Sequence, residues 1–166
     1  MEMLTHHDLF SVRVTQAKFP VQIDLLKKIH KHVDENFVAN EGRFVSNYFG
    51  YQYHDDFEGK KELDETLNNF SQLHLNLNLR NAWLNVLQGD AYNTPHYHEG
   101  NTSAVLYLSE NNNNITFVRD DKISNFKPKM FDLLIFPANL VHYVLPTENK
   151  DRRISYAMNL VKRISQ

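Results

Sequence analysis

Four side chains in the second half of this chain could do chemistry together. They are His96 and His98 in GDAYNTPHYHEG, His142 in DLLIFPANLVHYVLP, and Arg153 in RRISYAMNL. Side chains alternate along an extended segment, so His96 and His98 point one way while Tyr97 and Glu99 point the other. Two imidazoles separated by one residue can enter one coordination sphere, and His142 joins them if the chain folds back across the intervening segment. Imidazole suits iron, zinc, nickel and copper, and three of them leave positions open on an octahedral metal. Arg153 adds a second capacity. In RISYAMNL, Arg153, Ser155, Ala157 and Asn159 share one face, and Ile154, Tyr156, Met158 and Leu160 form an apolar face opposite. A guanidinium with a hydroxyl beside it can hold a carboxylate through two parallel charge-assisted bonds.

Each residue also has an ordinary explanation. Nine histidines in 166 residues give close pairs by chance, and HYH on a sheet edge can simply face water. Arg152 and Arg153 can belong to a charged turn, KDRR. His6 and His7 sit in the terminal segment, His30 reads as a satisfied helix histidine, and His32 as a solvent-facing one. Asp132, Lys129 and Lys127 read as solvated charges at strand ends.

The elements that must position these groups follow from periodicity. Ile23, Leu26, His30, Val33 and Phe37 recur at spacings of three and four, which predicts a helix over 20–37 with Pro20 at its start. A second, weaker helix is expected over 61–70, with Leu63, Leu67 and Phe70 on one face. LFSVRV (9–14) reads as an opening strand, and HLNLNLR (74–80) as either a strand or the tail of the second helix. GRFVSNYFGYQYHDDFEG reads as an edge strand or a loop over the core. From residue 81 the period is mostly two. AWLNVLQ places Trp83, Asn85 and Leu87 on one face; SAVLYL (103–108), with ITFV (115–118) as its hairpin partner, FDLLIF (131–136), HYVL (142–145) and ISYAMNLV (154–161) follow as short strands. Closely spaced strands with such turns predict an antiparallel double sheet or jelly roll, so the chain is expected to be mostly β. No low-complexity linker separates the halves, which predicts one domain over 1–166: a helical brace in 1–80 and a jelly-roll core in 81–161.

Composition narrows the function. There is no cysteine, which excludes disulfides, thiolate nucleophiles and iron–sulfur clusters. The net charge of −2 gives no bulk attraction to nucleic acid or anionic lipid, and disfavours a large duplex substrate. The amino-terminal residues do not read as a signal peptide, and no segment is apolar over a membrane-spanning length. A soluble protein of the cytoplasm is the expectation.

Three stretches, AWLNVLQGDAYNTPHYHEGNTSAVLYL, KMFDLLIFPANLVHYVLP and RRISYAMNL, together resemble the iron(II)- and 2-oxoglutarate-dependent oxygenases. More narrowly they resemble the compact branch of such oxygenases found in phages and marine bacteria, so that a phage-encoded protein would act in the host cytoplasm. LFSVRV is similar to the family's first strand. The resemblance implies a double-stranded β-helix (jelly roll) that binds Fe(II) and the cosubstrate 2-oxoglutarate. His96 would be the first metal ligand and His142 the distal one. The family's acidic ligand falls two residues after the first histidine; here that place holds His98, as is frequent in the compact branch. Glu99 could supply a carboxylate if the chain bends, whereas strand parity favours His98. Arg153 would pair with the distal carboxylate of 2-oxoglutarate, Ser155 would accompany it, Tyr107 would add a hydrogen bond from a neighbouring strand, and Asn85 would face inward. The implied reaction couples decarboxylation of 2-oxoglutarate to hydroxylation of a primary substrate that the residues do not identify. Competing readings are a cupin-like metal enzyme or sensor, and a non-enzymatic jelly-roll binding protein. Edge strands of such folds also pair copies into homodimers.

Overall fold

Alternation along the strands decides the layering of the molecule. The computed structural model describes residues 4–9, 12–37, 46–110, 113–146 and 150–163. In chain order the elements are β1 (Thr5–Leu9), β2 (Val12–Lys18), α1 (Ile23–Asn36), β3 (Asn47–Tyr48), β4 (Tyr51–Tyr53), α2 (Lys60–Leu75), β5 (Leu77–Leu87), β6 (Tyr92–His96), β7 (Thr102–Tyr107), β8 (Ile115–Arg119), β9 (Lys122–Phe126), β10 (Asp132–Pro137), β11 (Val141–Val144) and β12 (Arg153–Lys162). They form a seven-stranded sheet, β1-β2-β10-β7-β12-β5-β4, and a five-stranded sheet, β3-β6-β11-β8-β9. The pairings between these strands are antiparallel. The architecture is mostly β, a double-stranded β-helix with helices packed on it.

Both faces of the larger sheet are buried, and the sequence supplies a different partner for each. Leu84 and Val86 of β5, Leu106 of β7, and Ile154, Tyr156 and Met158 of β12 meet Leu25, Leu26, Ile29 and Val33 of α1 and Leu63, Leu67 and Phe70 of α2. On the other face Trp83, Leu87, Val105, Tyr107, Leu134 and Phe136 meet Ile115, Phe117 and Val144 of the smaller sheet. Burying a large apolar side chain contributes about 1.5–3 kcal/mol, so these two layers outweigh any single polar contact in fixing the fold. Two polar contacts fix the helices' register. His30 Nε2–H donates to the Leu108 carbonyl at 2.7 Å, the satisfied role expected for it. The Tyr156 hydroxyl donates to Asp64 Oδ1 at 2.6 Å, tying α2 to the middle of the sheet. Gly59 caps α2 with φ of 93°, where a Cβ would also meet Leu25 Cδ1 at 2.5 Å.

Several expectations change. LFSVRV is not one strand: it spans the corner of the β1–β2 hairpin, whose tip lies outside the described residues. Helix α1 starts at Ile23, three positions after Pro20, and Ile23 is 62% exposed because the buried stripe runs through Leu25, Leu26, Ile29 and Val33. Phe37 lies just past the helix as its C-cap. Helix α2 extends to Leu75, so HLNLNLR is divided between a helix tail and the start of β5 at Leu77. ITFV is not the partner of SAVLYL; β8 pairs with β9 and β11 in the other sheet. His32 is half-buried rather than simply solvent-facing. It stacks on Phe57 at 5.0 Å, and burial lowers its pKa. Asp132 is fully buried, accepting the Lys129 N–H at 2.7 Å and pairing with Lys18. The first eighty residues also supply strands to both sheets, β1, β2 and β4 to the larger and β3 to the smaller. Among the described residues no helix is long and apolar enough to cross a membrane.

Candidate metal centre and its cleft

Strand β6 carries His96 and β11 carries His142, and antiparallel register sets them directly opposite each other. Between the pairs His142–His96 and Val144–Asn93, two residues on β6 oppose the single Tyr143 on β11, which is a β-bulge. The bulge spans Thr94 and Pro95, and a proline that cannot donate is tolerated at such a site. It also shifts parity, so Asn93 and His96 both line the cleft between the sheets. His98 lies beyond the end of β6. Its backbone N–H donates to the Ala138 carbonyl at 2.9 Å, which returns its side chain to the other two.

The ring centroids of His96, His98 and His142 lie 4.4 to 5.2 Å apart. Their candidate ligand nitrogens all lie within 4.8 Å of one another. Small ring rotations convert that spacing to the separation of roughly 3 Å set by metal–nitrogen bonds of about 2.0–2.1 Å. Each ring is anchored through Nδ1. His96 Nδ1–H donates to the Thr94 carbonyl at 2.6 Å, His142 Nδ1–H to the Leu140 carbonyl at 2.9 Å, and His98 Nδ1–H to Asn159 Oδ1 at 2.8 Å. A proton held at Nδ1 leaves the Nε2 lone pair free, the tautomer a metal requires. Burial lowers the pKa of all three, and pushes His142, near His96, down to about 3. All three imidazoles are therefore neutral near pH 7, as ligands must be. Phe136 packs edge-on against His142 at 4.9 Å, and the Trp83 ring lies 5.5 Å from His98. Glu99 is exposed and stands outside this cluster.

Strand β12 forms the facing wall. Arg153, 4% exposed, lines the cleft, whereas Arg152 turns outward to Asp34 at 2.6 Å. Register builds a polar row across four strands: Gln52 on β4 lies opposite Asn85 on β5, Asn85 opposite Ser155 on β12, and Ser155 opposite Tyr107 on β7. Asn85 and Ser155 line the cleft, while Tyr107 lies behind it, its ring 5.2 Å from the guanidinium carbon of Arg153. Burial raises the Tyr107 pKa, and Arg153 opposes the rise. Trp83 Nε1, Asn85 Oδ1, Tyr107 Oη and Arg153 Nε are buried with no hydrogen-bond partner among the described residues. Buried polar atoms are normally satisfied, so four orphans around one cleft mark a place shaped for a polar ligand. The enclosed heart of the cleft is small, about 30 Å³, and it opens to solvent. Donor type, tautomer, neutrality and the orphaned polar atoms all fit a divalent metal beside a carboxylate ligand.

Sequence reasoning brought forward His96, His98, His142, Arg153, Ser155, Asn85 and Tyr107 as candidates; the structure sets the first six on this cleft, while Tyr107 lies outside its lining, against Arg153. It missed Gln52, Ser46 and Asn93, which line the cleft from β4, the residue before β3 and the flank of the bulge. It noted Asn159 on the face of Arg153 but not its contact with His98. The shared parity of Arg153 and Asn159 was the available signal.

No family model matches the chain, and no curated protein does. Solved structures do. A prolyl-4-hydroxylase from Pseudomonas putida superposes with a TM-score of 0.64 at 18% identity, covering 90% of this chain and 92% of that one. HygX from Streptomyces hygroscopicus, solved with nickel, 2-oxoglutarate and hygromycin B, gives 0.65 at 12% identity, covering 90% and 82%. The viral collagen prolyl hydroxylase of Paramecium Bursaria Chlorella virus-1, solved with 2-oxoglutarate, gives 0.59 at 15% identity, covering 90% and 96%. These likenesses establish the shared fold.

Proposed function

We propose that this chain is an iron(II)- and 2-oxoglutarate-dependent dioxygenase that hydroxylates a primary substrate bound at the cleft mouth. The observation that carries the reading is the convergence of three neutral imidazoles, each fixed through Nδ1, on the cleft that Arg153 enters from the opposite wall. His96, His98 and His142 would hold the metal. Arg153, with Ser155 beside it, would hold the far carboxylate of the ketoacid, Asn85 would offer a polar contact, and Tyr107 would support the guanidinium from behind. Bound iron would supply the oxidative chemistry, in which dioxygen and 2-oxoglutarate give succinate, carbon dioxide and one hydroxyl group on the substrate. The protein orients the cosubstrate, keeps the histidines unprotonated, and lines the reacting space with Trp83, Val105 and Ile115, which limit water. Relatives in fold that were solved with 2-oxoglutarate support the cosubstrate, and the His-x-His pair supports placement in the compact branch. Anaerobic iron(II) reconstitution followed by 2-oxoglutarate titration, then succinate measurement in air, tests the reading. Failure of the metal-loaded protein to bind 2-oxoglutarate would remove it.

One observation favours a second reading. Among the described residues the donor set is three histidines with no carboxylate, as a cupin-like metal enzyme could also use. Metal binding without 2-oxoglutarate binding would select that alternative.

A further inference from the structure

The cleft's own charge balance restricts what it can bind. Its lining consists of Ser46, Gln52, Asn85, Asn93, Ser155, apolar and aromatic side chains, the three histidines and Arg153. Among the described residues no Asp or Glu lines it. Tyr107, the nearest acid behind Arg153, is buried and stays a neutral phenol. The buried carboxylate of Asp132 is paired with Lys18 and lies outside the lining. Glu99, adjacent in sequence to His98, is exposed.

A divalent ion on three neutral imidazoles keeps both its positive charges, and Arg153 adds a third. With aspartate in the place of His98, the dianion 2-oxoglutarate would neutralise the assembly. With His98 there, one positive charge remains after 2-oxoglutarate has bound. In a buried cleft that residue of charge is poorly screened. We infer that the cleft binds one further monoanionic group beside the dicarboxylate cosubstrate, and that His98 creates the demand for it. The group is either the carboxylate or phosphate of the primary substrate or a free small anion. This inference rests on the oxygenase reading for the charge of the first ligand and on the three-histidine metal centre for the excess.

The test uses the full chain loaded with cobalt(II), whose visible spectrum reports new ligands, and azide as the anionic probe. 2-Oxoglutarate is titrated first, by itself. If it does not bind, the oxygenase reading falls and this inference, which counts the bound dicarboxylate, falls with it; if it binds, the azide comparison alone decides the inference. Wild-type protein and His98→Asp, each saturated with 2-oxoglutarate, are titrated with azide and with neutral imidazole. One added negative charge about 5 Å away changes anion affinity by about fourfold under water-like screening, and by a few hundredfold at an effective dielectric constant near 20. The expected result is azide binding at least tenfold weaker in His98→Asp, with imidazole affinity changed by less than about threefold. Equal azide affinities, or no azide binding to wild type, overturn the inference. If His98→Asp fails to take up cobalt, Asn159→Asp places the negative charge behind His98, keeps an acceptor for its Nδ1–H and leaves the three donors and Arg153 intact. It must weaken azide binding in the same way, and an unchanged affinity again overturns the inference. Competition identifies the source. Displacement of azide by chloride points to a free anion, displacement by formate or methyl phosphate alone points to the primary substrate, and displacement by none of them overturns the inference.

Discussion

Replacing Arg153 with methionine should stabilise the metal-free, ligand-free protein while destroying 2-oxoglutarate binding. Arg153 is 4% exposed, and no carboxylate among the described residues pairs with it. Its Nε has no hydrogen-bond partner there. Desolvating an unpaired guanidinium costs several kcal/mol, and the Tyr107 ring at 5.2 Å returns on the order of 2 kcal/mol at most. Methionine fills similar volume without the charge, so the metal-free protein should gain about 1–3 kcal/mol. The ligand sees the reverse. Two charge-assisted bonds worth about 1.5–3 kcal/mol each are lost, which weakens 2-oxoglutarate by roughly a hundredfold to ten-thousandfold. Urea unfolding in the presence of a chelator measures the first effect, and calorimetric titration of the zinc-loaded protein measures the second. Arg153→Lys should recover part of the affinity, because a point charge lacks the planar fork. Arg152→Ala is the control. Its pair with the exposed Asp34 predicts a change of about 0–1 kcal/mol in stability and none in ligand binding. A loss of more than about 1 kcal/mol in metal-free Arg153→Met would refute the reasoning, since the guanidinium would then be holding the fold. Unchanged 2-oxoglutarate affinity would place the carboxylate clamp elsewhere.

Three further outcomes are expected. Asn159→Leu frees the His98 ring from the 2.8 Å contact at Nδ1 and should weaken metal binding about tenfold to a hundredfold, read by competition with a chelating dye; wild-type affinity would show that Asn159 does not position His98. His98→Ala should lose metal affinity while Glu99→Ala keeps it, because Glu99 points to solvent; the opposite pattern would make Glu99 the third ligand. Acid should destabilise the metal-free protein. His142 has its pKa pushed down to about 3 in the fold, against about 6.5 unfolded, so between those values the unfolded chain binds a proton that the folded one does not. That contribution to stability is full above pH 6.5 and is lost as pH falls, at up to about 1.4 kcal/mol per pH unit, with His96 and His98 adding in the same direction. Urea midpoints that stay level or rise between pH 7 and pH 5 would contradict this.

Local sequence determined the alternation on each strand and therefore the chemistry of each face. Arg153 rather than Arg152 enters the cleft because its parity matches Ser155 and Asn159 and opposes the apolar run Ile154, Tyr156, Met158. The same period put Trp83 and Asn85 on one wall and gave the double-sheet fold, since side-chain direction in a strand depends on neighbours one and two residues away. Pairing between distant segments was not legible in this way. ITFV has the pattern of a hairpin partner for SAVLYL, yet it joins the other sheet, because the choice is made by complementary surfaces far apart in the chain. The bulge at Thr94 and Pro95, which turns Asn93 and His96 to the same side, breaks the parity rule that was used to read the strand. Likewise Asp132 reads as a solvated charge until Lys18, from β2, is brought to it. The histidine types and their order were in the sequence. The Thr94 and Leu140 carbonyls that fix the His96 and His142 tautomers lie two residues before their own histidines and are local, whereas only the tertiary structure brought Asn159 from β12 to His98 and set the three rings together.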